Sequence, residues 1–173
     1  IFISIFLGYS IGGAPIVGYH YGAGNHSELK NLFRMSLMLI AVWGAALTIL
    51  AQVLAAPLAQ IFVGYEEALF DMTVHGFRLY ALAFLINGFN IFGSAFFTAL
   101  SNGAVSAAIS CLRTLVFQVA VVLFLPRVLG IDGIWVAAAV SEALTLIVTV
   151  AFFIVQRKQY HYAYNIKKGT PTF

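Results

Sequence analysis

Residues 133–155 have the sequence GIWVAAAVSEALTLIVTVAFFIV, in which Glu142 is the single charged side chain. About 20 helical residues are enough to cross the hydrocarbon core of a bilayer, which is about 30 Å thick. Backbone N–H and C=O groups in lipid must be hydrogen-bonded within the protein, so open strands are too costly there. This run is therefore predicted to form a transmembrane helix.

The rest of the chain has the same character. Of its 173 residues, 62% are hydrophobic and 9% are charged, whereas a typical soluble domain has about 25% charged residues. A soluble fold of this size could not bury so much apolar surface. Four more apolar runs are long enough to span a membrane: residues 1–20, about 32–63, about 74–100 and 104 to about 125. The sequence predicts an all-α, polytopic transmembrane helix bundle of about five helices, with Pro57 ending or kinking the second.

The distribution of basic residues predicts the orientation of the bundle. If the connections alternate across the membrane, seven lysines and arginines fall on the side of the first connection: Lys30, Arg34, Arg113, Arg157, Lys158, Lys167 and Lys168. The other side has two, Arg78 and Arg127. Cytoplasmic loops of membrane proteins are enriched in such residues. Residues 1–155 are thus predicted to form the membrane bundle and residues 156–173 a basic cytoplasmic tail, and the net charge of +3 is attributed to loops rather than to nucleic-acid binding.

Motifs of soluble enzymes are missing from the sequence. It has no Walker loop, no dinucleotide fingerprint after a strand, no HExxH and no GxSxG. The four histidines fall near helix ends without metal-ligand spacing, and Cys111 is the single cysteine. We therefore expect a protein that is not an enzyme and that uses no metal or organic cofactor.

Glu142 is the candidate functional residue with the strongest physical argument. It is the tenth residue of its predicted span, roughly 14 Å from one end. An ionised carboxylate in lipid costs several kcal/mol, so such residues face the protein interior or a wet cavity. Ala138, Thr145 and Thr149 share its helix face. Glu142 is accordingly either a protonation or cation site, or an acid that bonds a neighbouring helix for packing alone.

Two further predicted spans have polar residues at helical spacing. The third has Asn87, Asn90, Ser94 and Thr98, and the fourth has Ser106, Ser110, Thr114 and Gln118. Such polar stripes either line a path for polar solutes or form interhelical hydrogen bonds, which are worth about 0.6 kcal/mol each. We expect Asn87, Asn90, Ser94, Thr98, Gln118 and Thr145 to line a shared cavity.

Pro15 lies inside the first span and follows Gly12 and Gly13. Proline removes a backbone hydrogen bond and kinks a helix. Bent helices are common at the binding sites of transporters. Pro15 is therefore a candidate hinge, with a static kink as the alternative.

Several of these strings resemble the multidrug and toxin extrusion (MATE) family. The stretch GGAPIVGYHYGAGN, residues 12–25, is similar to a family string at the cytoplasmic end of the eighth of twelve helices. Phe77–Tyr80 followed by Gly88–Asn90 resembles the tenth helix, and Phe96–Leu100 resembles its end. Gly130–Trp135, with Glu142 after it, resembles the entry to the twelfth helix. The order and spacing of the segments agree over nearly the whole chain.

The resemblance implies two six-helix bundles that alternately open a central cavity, with this chain supplying about the last five helices. It implies export of organic, often cationic, compounds in exchange for Na⁺ or H⁺ across the plasma membrane, the inner membrane of a bacterium. The expected partners are membrane lipids, small organic cations and the missing N-terminal lobe of the parent chain. Some relatives have an acidic residue in the tenth helix, where this chain has Asn87 and Asn90 instead.

Two alternatives remain open at this point. A lipid-linked oligosaccharide flippase of the same superfamily would need more basic residues in its cavity to meet phosphate. A non-transporting membrane scaffold would have every polar stripe satisfied by neighbouring helices.

Overall fold

Helices make up nearly all of residues 2–162, the part of the chain that the computed structural model describes. The helices are α1 (Phe2–Gly22), α2 (His26–Val63), α3 (Glu67–Ala81), α4 (Phe84–Ala99), α5 (Gly103–Cys111), α6 (Gln118–Leu129) and α7 (Ile131–Tyr160). A π-helical segment, Leu112–Phe117, joins α5 to α6 without a break. No strand occurs in this part of the chain, in agreement with the all-α prediction.

The number of membrane spans matches the expectation of about five. Four helical stretches are long and apolar enough to cross a membrane: α1, α2, α7 and the continuous run Gly103–Leu129. Helices α3 and α4 together pass the same test as a fifth span, bent by 44°. Many large apolar side chains point outward along these helices, including Ile11, Val42 and Ile147, as expected of surfaces that face lipid or another helix bundle.

The third predicted span, expected as one helix, is broken at Leu82 and Ala83. The N–H of Leu82 bonds the carbonyl of Leu79, and the N–H of Ala83 bonds that of Tyr80. These are the i→i−3 bonds of a tighter turn, which redirect the chain. Neither glycine nor proline occurs at this point, so the residue types here do not predict the bend.

Helix α4 lies at the centre of the bundle, where it packs against α1, α2, α5 and α7. Its start packs closely on α2, because a Cβ built on Gly44 would lie 3.2 Å from the carbonyl oxygen of Phe84. Towards its end, Phe92, Phe96 and Phe97 join a buried aromatic core with Phe33. The bend before α4 thus leads the chain into the middle of the fold.

Several helix boundaries differ from the predicted ones. Helix α2 begins at His26, because the side chain of Asn25 accepts a hydrogen bond from the Glu28 N–H at 3.2 Å and caps it. Pro57 does not end this helix, which continues for 38 residues in all to Val63. Helix α7 continues past residue 155 to Tyr160, so the first residues of the predicted tail are helical. Residues 163–173, with Lys167 and Lys168, lie outside the described part.

Candidate functional site

Glu142 lies in the middle of α7 and is 6% exposed. It is 11 residues from Ile131, which places it roughly 16 Å along the helix. A carboxylate at this depth needs polar partners, since lipid offers none.

Side chains from two other helical segments supply those partners. The Arg113 guanidinium donates to Glu142 Oε1 through Nε at 2.9 Å, and its Nη2 lies 2.8 Å from the same oxygen. Asn87 Nδ2 also donates to Oε1 at 3.2 Å, and Asn90 Nδ2 donates to Oε2 at 2.7 Å. Both carboxylate oxygens are therefore hydrogen-bonded, and the charge of Glu142 is balanced by that of Arg113.

A second set of hydrogen bonds holds these partners in place. Asn90 Nδ2 also donates to the backbone carbonyl of Glu142 at 2.9 Å, and Asn90 Oδ1 accepts from Thr149 at 3.0 Å. Arg113 Nη2 donates to Asn87 Oδ1 at 3.2 Å. Asn90 and Thr149 are both 0% exposed. The ion pair thus belongs to a connected network of five residues rather than to a single contact.

Arg113 lies on the π-helical segment Leu112–Phe117. Single π turns inside α-helices are rare and occur frequently at functional sites. The π-helical turn rotates the residues that follow it around the helix axis. The first and second halves of the predicted polar stripe from Ser106 to Gln118 therefore face in different directions. Ser106 and Ser110 hydrogen-bond Ser94 on α4, both at 2.9 Å. Thr114 and Gln118, which follow the start of the π segment, instead line a cavity.

This cavity has a volume of about 280 Å³ and lies beside the ion pair of Arg113 and Glu142. Its walls come from α1, the α3–α4 bend, α4, the π segment, α6 and α7: Ile3, Tyr80, Ala83, Asn87, Arg113, Thr114, Gln118, Ala138 and Glu142. The bend at residues 82–83 and the π segment, the two irregular places in otherwise regular helices, both border it.

The predicted site residues fall into three groups. Asn87, Gln118 and Glu142 line this cavity, and Asn90 lies directly behind Glu142. Thr145 is fully buried and its hydroxyl donates to the Ser141 carbonyl of its own helix at 2.8 Å. Ser94 and Thr98 bond the serines of α5, with Thr98 donating to Ser106 at 2.7 Å.

Pro15 lies inside α1, which remains one helix from Phe2 to Gly22. Its side chain is exposed. A hinge at this position stays a prediction.

Sequence reasoning counted Arg113 with the cytoplasmic charges and recognised it as the one basic residue suitably placed for a cavity, but it did not pair Arg113 with Glu142. It lies ten residues after Gly103, about 15 Å along the helical run, and the depth of Glu142 is measured from the opposite face, so both residues lie near the middle of a core about 30 Å thick. Without Arg113 the basic residues still favour the same side. An arginine and a glutamate at equal depth in neighbouring spans are the sequence feature that would have predicted this pairing.

Residues that could hold a metal ion are not clustered in the described part of the chain, where no group of three His, Cys, Asp or Glu side chains comes together. The polar chemistry of the site is that of an ion pair, two amides and hydroxyl groups. Such a set can bind an ion or a polar solute, or exchange a proton at Glu142.

Comparison with known proteins relates this arrangement to one family. The MatE family model matches residues 1–124, which is more than half of the chain and includes Arg113. The chain belongs to the MatE family. This result confirms the resemblance noted in residues 12–25. Members of this family are transporters rather than enzymes.

A solved structure agrees with the fold of this MatE chain. It is described as the inward-facing conformation of a multidrug resistance MATE family transporter of the MOP superfamily. The two are 20% identical, with a TM-score of 0.85 over 94% of this chain. The match spans 38% of the length of that transporter chain. No curated protein sequence matches the chain.

Proposed function

We propose that this chain is part of the C-terminal lobe of a secondary active multidrug antiporter, which exports organic, often cationic, compounds in exchange for Na⁺ or H⁺. The observation that supports the proposal most directly is a buried carboxylate, Glu142, at the wall of a cavity between membrane-spanning helices. Intramembrane acids of this kind mark ion and substrate paths. Glu142 is the proposed protonation site.

The proposed transporter needs a second lobe. A bundle of five spans leaves its polar cavity open at one side, and the related transporter chain is more than twice as long. Its partners would be an N-terminal lobe, membrane lipids and small organic cations. Its proposed location is the plasma membrane, the inner membrane in a bacterium, with the C-terminus in the cytoplasm.

The flippase alternative has less support. A lipid-linked oligosaccharide has phosphate groups that call for several unpaired basic residues. Among the described residues that line the cavity, Arg113 is the one basic side chain, and Glu142 balances its charge. The scaffold alternative is disfavoured by the cavity itself, which a bundle built only for packing would fill.

The proposed export should depend on Glu142. In cells that express the two-lobe transporter, efflux of a cationic dye is expected to require a Na⁺ or a proton gradient. The Glu142→Gln change should reduce this efflux about tenfold or shift its pH dependence, because charge-assisted hydrogen bonds to the carboxylate are worth about 1.5–3 kcal/mol. Efflux would be measured in cells with each gradient collapsed in turn.

Glu67→Gln provides the matched control. It removes the same charge from an exposed residue at the start of α3, away from the cavity. Its efflux should equal that of the unmodified protein. Efflux that is the same in both variants at every pH would refute the role of Glu142, and efflux that ignores both gradients would refute the antiporter proposal.

The proposed orientation predicts which connections an external reagent reaches. In a Cys111→Ser background, cysteines would replace two exposed residues: Ser27 in the first turn of α2 and Glu66 in the connection between α2 and α3. A membrane-impermeant maleimide applied to intact cells should label the cysteine at position 66 and spare that at position 27. The positive-inside rule is the reason. Labelling in the opposite pattern would invert the topology.

A further inference from the structure

We propose that Arg113 is the substrate-binding group of this cavity and that it takes an anionic group, such as a carboxylate, of the transported compound. The inference rests on the proposed transport function and narrows its substrate class. Compounds that have an organic cation together with a carboxylate would then be preferred over simple cations.

The first reason is which member of the ion pair faces the cavity. The side chain of Glu142 is 8% exposed, whereas that of Arg113 is 25% exposed. Both Glu142 oxygens already accept hydrogen bonds from Arg113, Asn87 and Asn90. A cation in the cavity would have to displace these donors before it could reach the carboxylate.

The second reason is that Arg113 has N–H groups that are not yet used in hydrogen bonds to the described residues. A guanidinium has five N–H groups in a planar fork. Nε and Nη2 are used by Glu142 and Asn87, while Nη1 has no hydrogen bond to any residue in the described range 2–162. Arginine suits this role because its fork matches the geometry of a carboxylate.

The third reason is the character of the other polar groups in the wall. Gln118 accepts a hydrogen bond from Ser141 through Oε1, which leaves its amide N–H groups as donors. Thr114 and Tyr80 line the same cavity, and their hydroxyls can either donate or accept, so Arg113 and Gln118 are the groups that offer donors alone. A ligand that presents acceptor oxygens would therefore satisfy more of this wall than one that presents donors.

The balance of charge suits a site that must also release its ligand. Glu142 offsets the charge of Arg113, while Asn87 and Asn90 hold the carboxylate in place. A substrate carboxylate would gain a charge-assisted hydrogen bond from Nη1 without meeting an unbalanced positive charge. Ile3, Ala83 and Ala138 provide apolar wall for the body of the ligand.

A matched pair of dyes tests the inference. One is a xanthylium dye with a free benzoate, which is a zwitterion, and the other is its methyl ester, which has the same cation and no anionic group. Binding to the purified two-lobe transporter in detergent would be followed by fluorescence anisotropy. The zwitterion is expected to bind about tenfold more tightly, in line with one charge-assisted hydrogen bond.

Three variants test whether Arg113 itself, rather than a general change in the protein, causes the preference for the zwitterion. The double variant Arg113→Gln/Glu142→Gln removes both charges without leaving either one unpaired, and it should abolish the preference for the zwitterion. Glu142→Gln alone should increase the preference, because Arg113 is then uncompensated. Arg127→Gln, which removes an exposed arginine at the end of α6, should retain it.

Equal binding of the two dyes, tighter binding of the ester, or no binding of either would overturn the inference. So would a preference that survives in the double variant. The assay uses no ion gradient. A retained preference in a protein that fails to export dye from cells would therefore contradict the proposed antiport and leave this inference standing.

Discussion

Replacement of Arg113 by methionine is expected to lower the free energy of unfolding of the two-lobe transporter by about 3–5 kcal/mol, because it leaves a buried charge without its partner. Glu142 is 6% exposed and lies in the middle of a membrane-spanning helix. Asn87 and Asn90 would still donate to it, but amides do not balance a full charge. Unfolding in detergent by increasing amounts of sodium dodecyl sulfate would measure the loss.

A second variant shows whether the unpaired charge is the cause. Adding Glu142→Gln to Arg113→Met removes the charge and preserves an amide that hydrogen-bonds. Most of the lost stability should return, to within about 1 kcal/mol of the unmodified protein. Arg127→Met should have little effect, since this side chain is exposed and bonded to no acid among the described residues. If the double variant were as unstable as Arg113→Met, lost packing rather than lost charge would be responsible.

Replacement of Gly88 by leucine is expected to cost about 3 kcal/mol or to prevent folding, because overpacking forces side chains and backbone to shift. A Cβ at this position would lie 2.6 Å from Cδ1 of Phe6 and 2.7 Å from Cγ2 of Ile40. Both of these side chains are 2% exposed, so neither has free space to move into. The thermal midpoint in detergent, followed by size-exclusion chromatography, would report the effect.

Gly8→Leu is the matched control for this change. Gly8 also lies in a membrane-spanning helix, α1, but it is exposed. A Cβ built there meets no atom within 4 Å. Its thermal midpoint should remain close to that of the unmodified protein. Similar losses in both variants would mean that α1 and α4 do not pack as closely as the structure has them.

The features that could be predicted from the sequence depend on composition along short stretches. The apolar runs predict membrane spans because lipid allows no unsatisfied backbone. Glu142 stands out for a related reason, since an acid inside such a run must find a partner. Asn87 and Asn90, at helical spacing on one face, both donate hydrogen bonds to it in the structure. The string in residues 12–25 predicted the family.

The features that could not be predicted depend on contacts between distant segments. The bend at Leu82 and Ala83 has no proline or glycine, and directly after it the start of α4 packs closely on Gly44 of α2. Helical periodicity assumes a constant number of residues per turn, so the four-residue spacing from Ser106 to Gln118 predicted one stripe. The π segment divides that stripe between two neighbours. The partnership of Arg113 with Glu142 joins residues 29 positions apart, so no local pattern reveals it, and only a comparison of depths in two separate spans points to it.

The length of α2 determines how this helix responds to bilayer thickness. The 38 residues of α2 extend about 57 Å, and even at a tilt of about 40° they would cover about 44 Å of membrane normal. A hydrocarbon core is only about 30 Å thick, so thin and thick bilayers alike fit within that length. A change in bilayer thickness will therefore shift the lipid boundary along α2 without leaving the helix too short to cross the membrane.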